Sequence, residues 1–120
     1  MKKIALLLAN GFEAVEASVF TDVFGWNKWE GDGSTEVITM GLHPQLTCTW
    51  NFTVTPERCI TTIDLSEFDA LAIPGGFEEA GFYEDAFSPA CRSCKRRTVF
   101  SGPNFSASQM ASPAAMVVVQ

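Results

Sequence analysis

The chain has 120 residues, 47% of them hydrophobic, and a formal net charge of −6 at pH 7. This length fits one small domain with its own core, and the apolar runs are too short to span a bilayer. All 14 acidic residues lie within positions 1–85 beside only four basic ones, whereas positions 86–120 hold four basic residues and no acid. An acidic body of this kind argues against nucleic-acid binding, and we interpret the small basic cluster as a solvated face.

The chain begins with an apolar segment at residues 3–8 and a tight turn that starts at Asn10. Asn is a good helix cap, and Glu13 follows three positions later as in a capping box. The pattern predicts a strand and then a helix from about Phe12 to Phe24 that stops near Gly25. Two lysines before the apolar run resemble the start of a signal peptide. The run is brief, however, and no Ala-x-Ala site follows it, so we interpret it as the first strand of a cytoplasmic protein.

Glu16 stands out in this predicted helix. Five apolar residues fall on one stripe of the helix, which we expect to face the core, and Glu16 falls inside that stripe: Phe12, Val15, Val19, Phe20 and Val23. A carboxylate in an apolar face is costly unless it has a partner or a purpose. It is either a flanking Glu that reaches water or a Lys, the more common role, or a proton-sharing group at the end of the sheet. The helical position alone leaves both interpretations open.

The following segments predict further strands and one hairpin. Residues 36–41 and 70–73 read as buried strands, which we expect to lie beside the first strand and parallel to it. Residues 47–54 alternate as a hairpin strand does, and residues 58–62 are predicted to return antiparallel to them. A short helix is predicted at residues 78–83. Together these elements indicate an α/β fold with a mainly parallel sheet and helices on both faces.

The third buried strand ends in Pro74-Gly75-Gly76. Glycines permit positive φ and let backbone N–H groups approach a ligand or an oxyanion. A simple turn would have the same sequence, so this tripeptide alone is a weak signal.

The two segments together are more specific. Ala9-Asn-Gly-Phe-Glu-Ala-Val-Glu16 and Asp69-Ala-Leu-Ala-Ile-Pro-Gly-Gly-Phe-Glu-Glu-Ala80 closely resemble the ThiJ/PfpI superfamily. That superfamily includes the parkinsonism-associated protein, the intracellular protease PfpI and bacterial glyoxalase and deglycase relatives. The resemblance covers about residues 3–88 and implies a flavodoxin-like three-layer sandwich. We therefore divide the chain into a core at residues 1–88 and a tail at residues 89–120.

The resemblance also implies a function. It implies a cysteine-dependent glyoxalase, deglycase or amidase-type activity on small carbonyl compounds or amides, in a protein that forms homo-oligomers. Glu16 would be the proton partner of the cysteine, and Gly75 and Gly76 the backbone on the oxyanion side. No cofactor, metal, nucleic acid or membrane is implied.

The tail departs from the family pattern. Family members carry the nucleophilic Cys on a sharp strand-to-helix elbow, in a pattern like Ile-Cys-x-Gly. Here no Cys follows Cys94, and residues 104–112 stand where the elbow is expected. The tail is an altered reading frame or a truncation, a natural divergent end, or a degenerate elbow in another register. The abrupt change of composition favours the first of these.

This departure leaves the nucleophile unknown. We expect negligible activity from the chain as written, together with an unfilled sheet edge that invites association. The alternative function is a non-catalytic binding or interaction protein on the same scaffold.

The four cysteines allow further interpretations. Cys48 and Cys59 lie on the two arms of the predicted hairpin and would face each other, although free buried thiols fit a cytoplasmic chain better. Cys91 and Cys94 have redox-motif spacing and are candidate replacements for the nucleophile, but they lie in the divergent tail. Zinc is disfavoured because His43 is the only histidine.

Overall fold

The computed structural model describes residues 1–62, 64–86 and 116–119 of the chain. Within these ranges the strands are β1 (Lys2–Leu8), β2 (Thr35–Gly41), β3 (Leu46–Thr47), β4 (Thr53–Val54), β5 (Arg58–Cys59), β6 (Ala70–Ile73) and β7 (Met116–Val119). The α-helices are α1 (Ala14–Glu30) and α2 (Phe82–Ala86). Short 3₁₀ segments lie at Thr49–Asn51, Ile60–Thr62, Leu65–Glu67 and Glu78–Ala80.

A mainly parallel sheet forms the centre of the fold, with the strand order β5-β2-β1-β6-β7. β1 pairs in parallel with β2 along its whole length and with β6 from Ile4 to Leu6. The predicted parallel neighbours at residues 4–8, 36–41 and 70–73 are therefore confirmed. The sheet and helix together confirm the predicted α/β, flavodoxin-like fold class.

β1 is buried on both faces of the sheet. Alternate residues of the strand point to opposite sides, so Leu6 packs beneath α1 with Phe20, whereas Leu7 packs on the other face with Met40 and Leu71. Strands covered on both faces read as continuous apolar runs, which is why residues 4–8 were recognisable in the sequence.

Helix α1 is longer than predicted and begins later. It runs from Ala14 to Glu30 instead of ending near Gly25, because a single Gly weakens a helix without stopping it. Asn10 does not cap the helix. Glu13 holds the capping position, although its side chain makes no capping hydrogen bond to the helix, and the Asn10 Oδ1 accepts instead from the Thr47 N–H at 3.1 Å.

The predicted core stripe of the first helix is wrong at its three valines, whereas Phe12 and Phe20 are buried as predicted. Val15, Val19 and Val23 are 71%, 54% and 57% exposed, so this side of the helix faces outward. The helix packs on the sheet through Ala17 and Phe20, with a half-buried Phe24. Apolar residues occupy much of the circumference of this helix, so a helical-wheel projection cannot tell which of two apolar sides packs on the sheet.

The predicted hairpin is also wrong in its pairing. The chain turns inside the first predicted arm, at Thr49–Asn51, so β3 and β4 pair antiparallel with each other. β5 joins the main sheet parallel to β2. Cys48, which follows β3, is buried, and Cys59 on β5 is exposed, so the two do not face each other across a hairpin. Both are free thiols, as the sequence favoured, although only Cys48 is buried.

The tail contributes a strand to the sheet. β7 pairs antiparallel with β6 and is the outermost described strand on that side of the sheet, so the predicted unfilled sheet edge stays a prediction. Before it, the predicted helix at residues 78–83 is a 3₁₀ segment followed by α2. Cys91, Cys94 and the expected elbow at residues 104–112 lie outside the described residues.

Two glycines provide a matched test of this fold. Gly11 has φ of +72°, and a Cβ there would lie 2.7 Å from the Ala80 carbonyl oxygen, whereas a Cβ on Gly25 in α1 meets nothing within 4 Å. We expect Gly11→Ala to lower the free energy of unfolding by about 1–3 kcal/mol through strain and overpacking. Gly25→Ala should raise it by about 0.5–1 kcal/mol through higher helix propensity. Urea unfolding measures both, and an unchanged Gly11→Ala midpoint would contradict the close approach described here.

Candidate functional site

Two loops meet at the carboxyl end of the sheet. β1 and β6 are adjacent and parallel, so the turn after β1 and the Pro-Gly-Gly loop after β6 emerge side by side, as at the ligand sites of open α/β sheets. The Glu13 N–H donates to the Gly75 carbonyl oxygen at 2.7 Å, and the Phe77 N–H donates to the Gly11 carbonyl oxygen at 3.1 Å. These bonds fix the start of α1 against the loop.

Glu16 lies on the first turn of α1 and reaches across to this loop. Its Oε2 accepts a hydrogen bond from the Gly75 N–H at 2.6 Å, a short bond of the charge-assisted kind. The side chain is half-buried, because Glu16 stands at the boundary between the packed side of α1 and the exposed valine side. A carboxylate near a helix N-terminus is also favoured by the helix dipole.

The two glycines of the loop are in different situations. The Gly75 N–H is already engaged by Glu16, whereas no described residue accepts a hydrogen bond from the Gly76 N–H. A Cβ at Gly76 would collide with the Gly11 carbonyl oxygen and the Phe82 ring, so only glycine fits there. Glu16, Gly75 and Gly76 are thus brought together, and their functional roles remain predictions.

The β3–β4 hairpin forms a wall beside this arrangement. The Thr49 N–H donates to the Phe12 carbonyl oxygen at 3.0 Å, and the Thr49 Oγ1 donates to the Glu13 Oε1 at 3.4 Å. The next residue, Trp50, is 86% exposed, and its ring meets Phe77 edge-on with 6.3 Å between centroids. The hairpin therefore carries an exposed aromatic ring to the edge of the site.

Asp85 is a residue that sequence reasoning missed. It is only 8% exposed, and its Oδ2 accepts from the Asn10 N–H at 2.8 Å. Its Oδ1 forms a hydrogen bond with the His43 Nε2 at 2.7 Å. These contacts tie α2 to the turn before Glu16. They join residues far apart in the chain, and the only local cue was the acidic pair Glu84-Asp85 in the short segment after Gly81.

Cys48 lies close to the site but is a poor nucleophile. Its side chain is buried, and the Sγ donates to the Phe52 carbonyl oxygen at 2.8 Å. Burial, with a smaller contribution from the charge of Glu13, raises the pKa of the Cys48 thiol. Because only the thiolate attacks, this environment suppresses reactivity.

Cys59 has the opposite character. It is exposed at the end of β5, beside Gly41 and two strands away from β1. A hydrogen bond with the Thr61 hydroxyl lowers the pKa of the Cys59 thiol. It is therefore the more reactive of these two thiols, although it stands away from Glu16.

Among the described residues, no three His, Cys, Asp or Glu side chains are grouped so as to hold a metal ion. None of the described helices is both long and apolar enough to span a membrane.

Comparison with known proteins identifies the family of the chain. A model of the DJ-1/PfpI family matches residues 2–90. The chain therefore belongs to the DJ-1/PfpI family, and the resemblance seen in the two loop segments is confirmed. No curated protein matches the chain.

Solved structures share the fold. Oxidized DJ-1 of Toxoplasma gondii is 21% identical with a TM-score of 0.64, covering 82% of this chain and 50% of that one. A mutant DJ-1 superfamily protein of Salmonella typhimurium is 26% identical with a TM-score of 0.63, covering 81% and 49%. One from Agrobacterium tumefaciens is 24% identical with a TM-score of 0.53, covering 79% and 50%. This chain thus spans about half the length of these relatives.

The two described thiols should differ in alkylation rate. At neutral pH we expect iodoacetamide to modify Cys48 at least about tenfold more slowly than Cys59, because a raised pKa and burial both reduce the accessible thiolate. Mass spectrometry of the two peptides over time measures the rates. Unfolding in urea is the control and should bring the rates together. Faster modification of Cys48 in the folded chain would contradict its burial and make it a candidate nucleophile.

Proposed function

We propose that this chain is a cytoplasmic DJ-1/PfpI-family domain that binds a small carbonyl or amide compound at Glu16 and the Gly75–Gly76 backbone. The observation that supports this most strongly is the 2.6 Å bond between the Glu16 Oε2 and the Gly75 N–H. It brings a half-buried carboxylate and a glycine backbone to the edge of the sheet where α/β folds bind ligands.

The chemistry of these groups suits an oxygen-bearing ligand. The Glu16 carboxylate can accept a hydrogen bond from an amide N–H or a hydroxyl, or hold a proton during a reaction. The Gly76 N–H can donate to a carbonyl oxygen. Neither group supplies the attacking atom that a glyoxalase, deglycase or amidase of this family type needs.

Neither of the two described thiols is suited to act as the nucleophile at Glu16, and this favours binding without turnover. The Cys48 thiol donates a hydrogen bond to the Phe52 carbonyl oxygen and has a raised pKa, and Cys59 lies beyond β2. We therefore propose that the chain as written has negligible glyoxalase or amidase activity. Cys91 and Cys94, outside the described residues, are its other thiols.

A titration with acetamide tests the proposed binding. We expect acetamide to shift the backbone amide NMR signals of Gly75 and Gly76. Glu16→Gln should weaken binding by about tenfold, because a hydrogen bond to a charged acceptor is worth about 1.5–3 kcal/mol. Glu30→Gln, at the exposed far end of α1, is the matched control and should leave binding unchanged. Equal binding by Glu16→Gln and the wild type would refute the site.

Methylglyoxal consumption tests the second half of the same proposal. The wild-type chain should consume methylglyoxal no faster than the Glu16→Ala variant or a Cys91→Ser/Cys94→Ser double variant. Turnover by the wild type that either substitution abolishes would show that the tail supplies the missing nucleophile.

A second candidate function is interaction with other chains, in the first place self-association. Val15, Val19, Val23 and Trp26 are each more than half exposed. At the helical angle of 100° per residue, these four residues lie within an arc of about 80° on one side of α1. A contiguous apolar patch on a small domain commonly marks a protein interface. This outer face of α1 supports a homo-oligomer.

Sedimentation velocity over a range of concentrations tests the association. We expect the sedimentation coefficient to rise with concentration and Val19→Lys to suppress the rise, because the substitution places a charge in the apolar face. Thr21→Lys adds the same charge at an exposed position of α1 outside this apolar face and should not suppress it. A monomer at every concentration would contradict this candidate.

A further inference from the structure

Trp50 and Phe77 form an exposed aromatic corner. Their ring centroids are 6.3 Å apart and their planes cross at 72°. Trp50 is 86% exposed and Phe77 47%, although rings of this size usually contribute to the core. In an edge-to-face pair at least one face of each ring stays free of the other, so the two rings can form two walls around a bound group.

Hydrogen bonds to the candidate site hold this corner in place. The Phe77 N–H donates to the Gly11 carbonyl oxygen, and Thr49, the residue before Trp50, donates to the Phe12 carbonyl oxygen. Both rings are thereby attached to the turn that precedes Glu16. Trp50 itself has φ of +63°, a left-handed conformation that is rare for a bulky residue and persists only where the surrounding structure enforces it.

The segments around the corner are acidic. Residues 9–17, 46–54 and 74–80 contain four glutamates and no lysine or arginine: Glu13, Glu16, Glu78 and Glu79. Glu13 and Glu16 are held directly at the site, through the Thr49 hydroxyl and the Gly75 N–H. A surface of one charge sign attracts ligands of the opposite sign and repels those of the same sign.

We propose that Trp50 and Phe77 form a subsite for a cationic group, an ammonium or a guanidinium, next to Glu16. This inference rests on the proposed function in one respect, namely that the cation belongs to the compound bound at Glu16. It narrows the substrate class from small carbonyl or amide compounds to those that carry a positive charge.

Two physical effects favour a cation over the other ligands that such a corner could bind. The faces of aromatic rings attract a cation, most strongly when the ring is Trp, and paired rings are a known way to recognise quaternary ammonium. A neutral apolar group would gain contact with the rings but nothing from the carboxylates. A carboxylate or phosphate would be repelled by the same glutamates.

Choline and its uncharged carbon analogue, in which a carbon replaces the nitrogen, test the charge at constant shape. The readout is the indole N–H signal of Trp50 in NMR spectra. We expect choline to shift this signal and the analogue to bind at least about tenfold more weakly, the ratio that 1.4 kcal/mol corresponds to. Guanidinium chloride at low concentration forms a second arm and distinguishes a planar cation from a quaternary one. Equal binding of choline and the analogue would overturn the proposal.

Variants locate the subsite and separate it from the proposed function. Trp50→Leu should abolish choline binding, followed at the Phe77 amide, and Trp50→Phe should retain most of it. Trp29→Leu removes an 84% exposed Trp at the far end of α1 and should bind like the wild type. If no cation binds but acetamide binding depends on Glu16, the subsite is refuted and the proposed function stands. If choline binding depends on Trp50 but acetamide binding does not depend on Glu16, the proposed function falls.

Self-association provides a further outcome. If choline does not bind and Trp50→Leu abolishes concentration-dependent sedimentation, the corner is a contact between copies of the chain. That result would overturn the cation subsite.

Discussion

The register between β1 and β6 is the constraint on which the site depends. Ile4 pairs with Ala70 and Leu6 with Ala72, so the two strands end together and their loops bond through Glu13 with Gly75 and Gly11 with Phe77. Moving β6 by one residue would turn its buried faces over and carry the Gly75 N–H away from Glu16. The small Ala70 and Ala72 pack on one face of the sheet and the larger Leu71 and Ile73 on the other, so such a slip would exchange small and large side chains between two packed faces.

The turn at Asn10 and Gly11 connects this register to the rest of the molecule. The Gly11 N–H donates to the Thr47 carbonyl oxygen, the Asn10 Oδ1 accepts from the Thr47 N–H, and the Asn10 N–H donates to Asp85. Asn10 and Gly11 thereby supply hydrogen-bond partners to backbone groups of the hairpin and to the Asp85 carboxylate of α2. Buried polar groups need such partners. Because these segments pack closely around the turn, a side chain at position 11 would collide with Ala80. The strand end, the hairpin and α2 are therefore all connected through this one turn.

The sequence predicted what is local and continuous, and it missed what depends on tertiary packing. The buried parallel strands were evident as unbroken apolar runs, and the resemblance of two short segments assigned Glu16 and Gly75 to one site without predicting the hydrogen bond between them. The outward face of α1 could not be predicted because Val19 and Phe20 are equally apolar, and only the sheet decides between them. The hairpin failed because its turn places Trp50 at positive φ, where turn rules expect Gly or Asn. No local pattern joins His43 to Asp85.

The side of α1 that packs on the sheet determines the position of Glu16. If the valine side had packed on the sheet, Glu16 would lie deep in the core, and an unpaired carboxylate there would be strongly destabilising. Because Phe20 packs instead, Glu16 stands at the boundary, where one oxygen bonds the Gly75 N–H and the half-buried side chain stays accessible to solvent. A ligand can therefore approach Glu16 from the solvent side without displacing core residues. The hairpin with Trp50 and the loop with Phe77 border that approach, so these two aromatic residues are placed to select what binds.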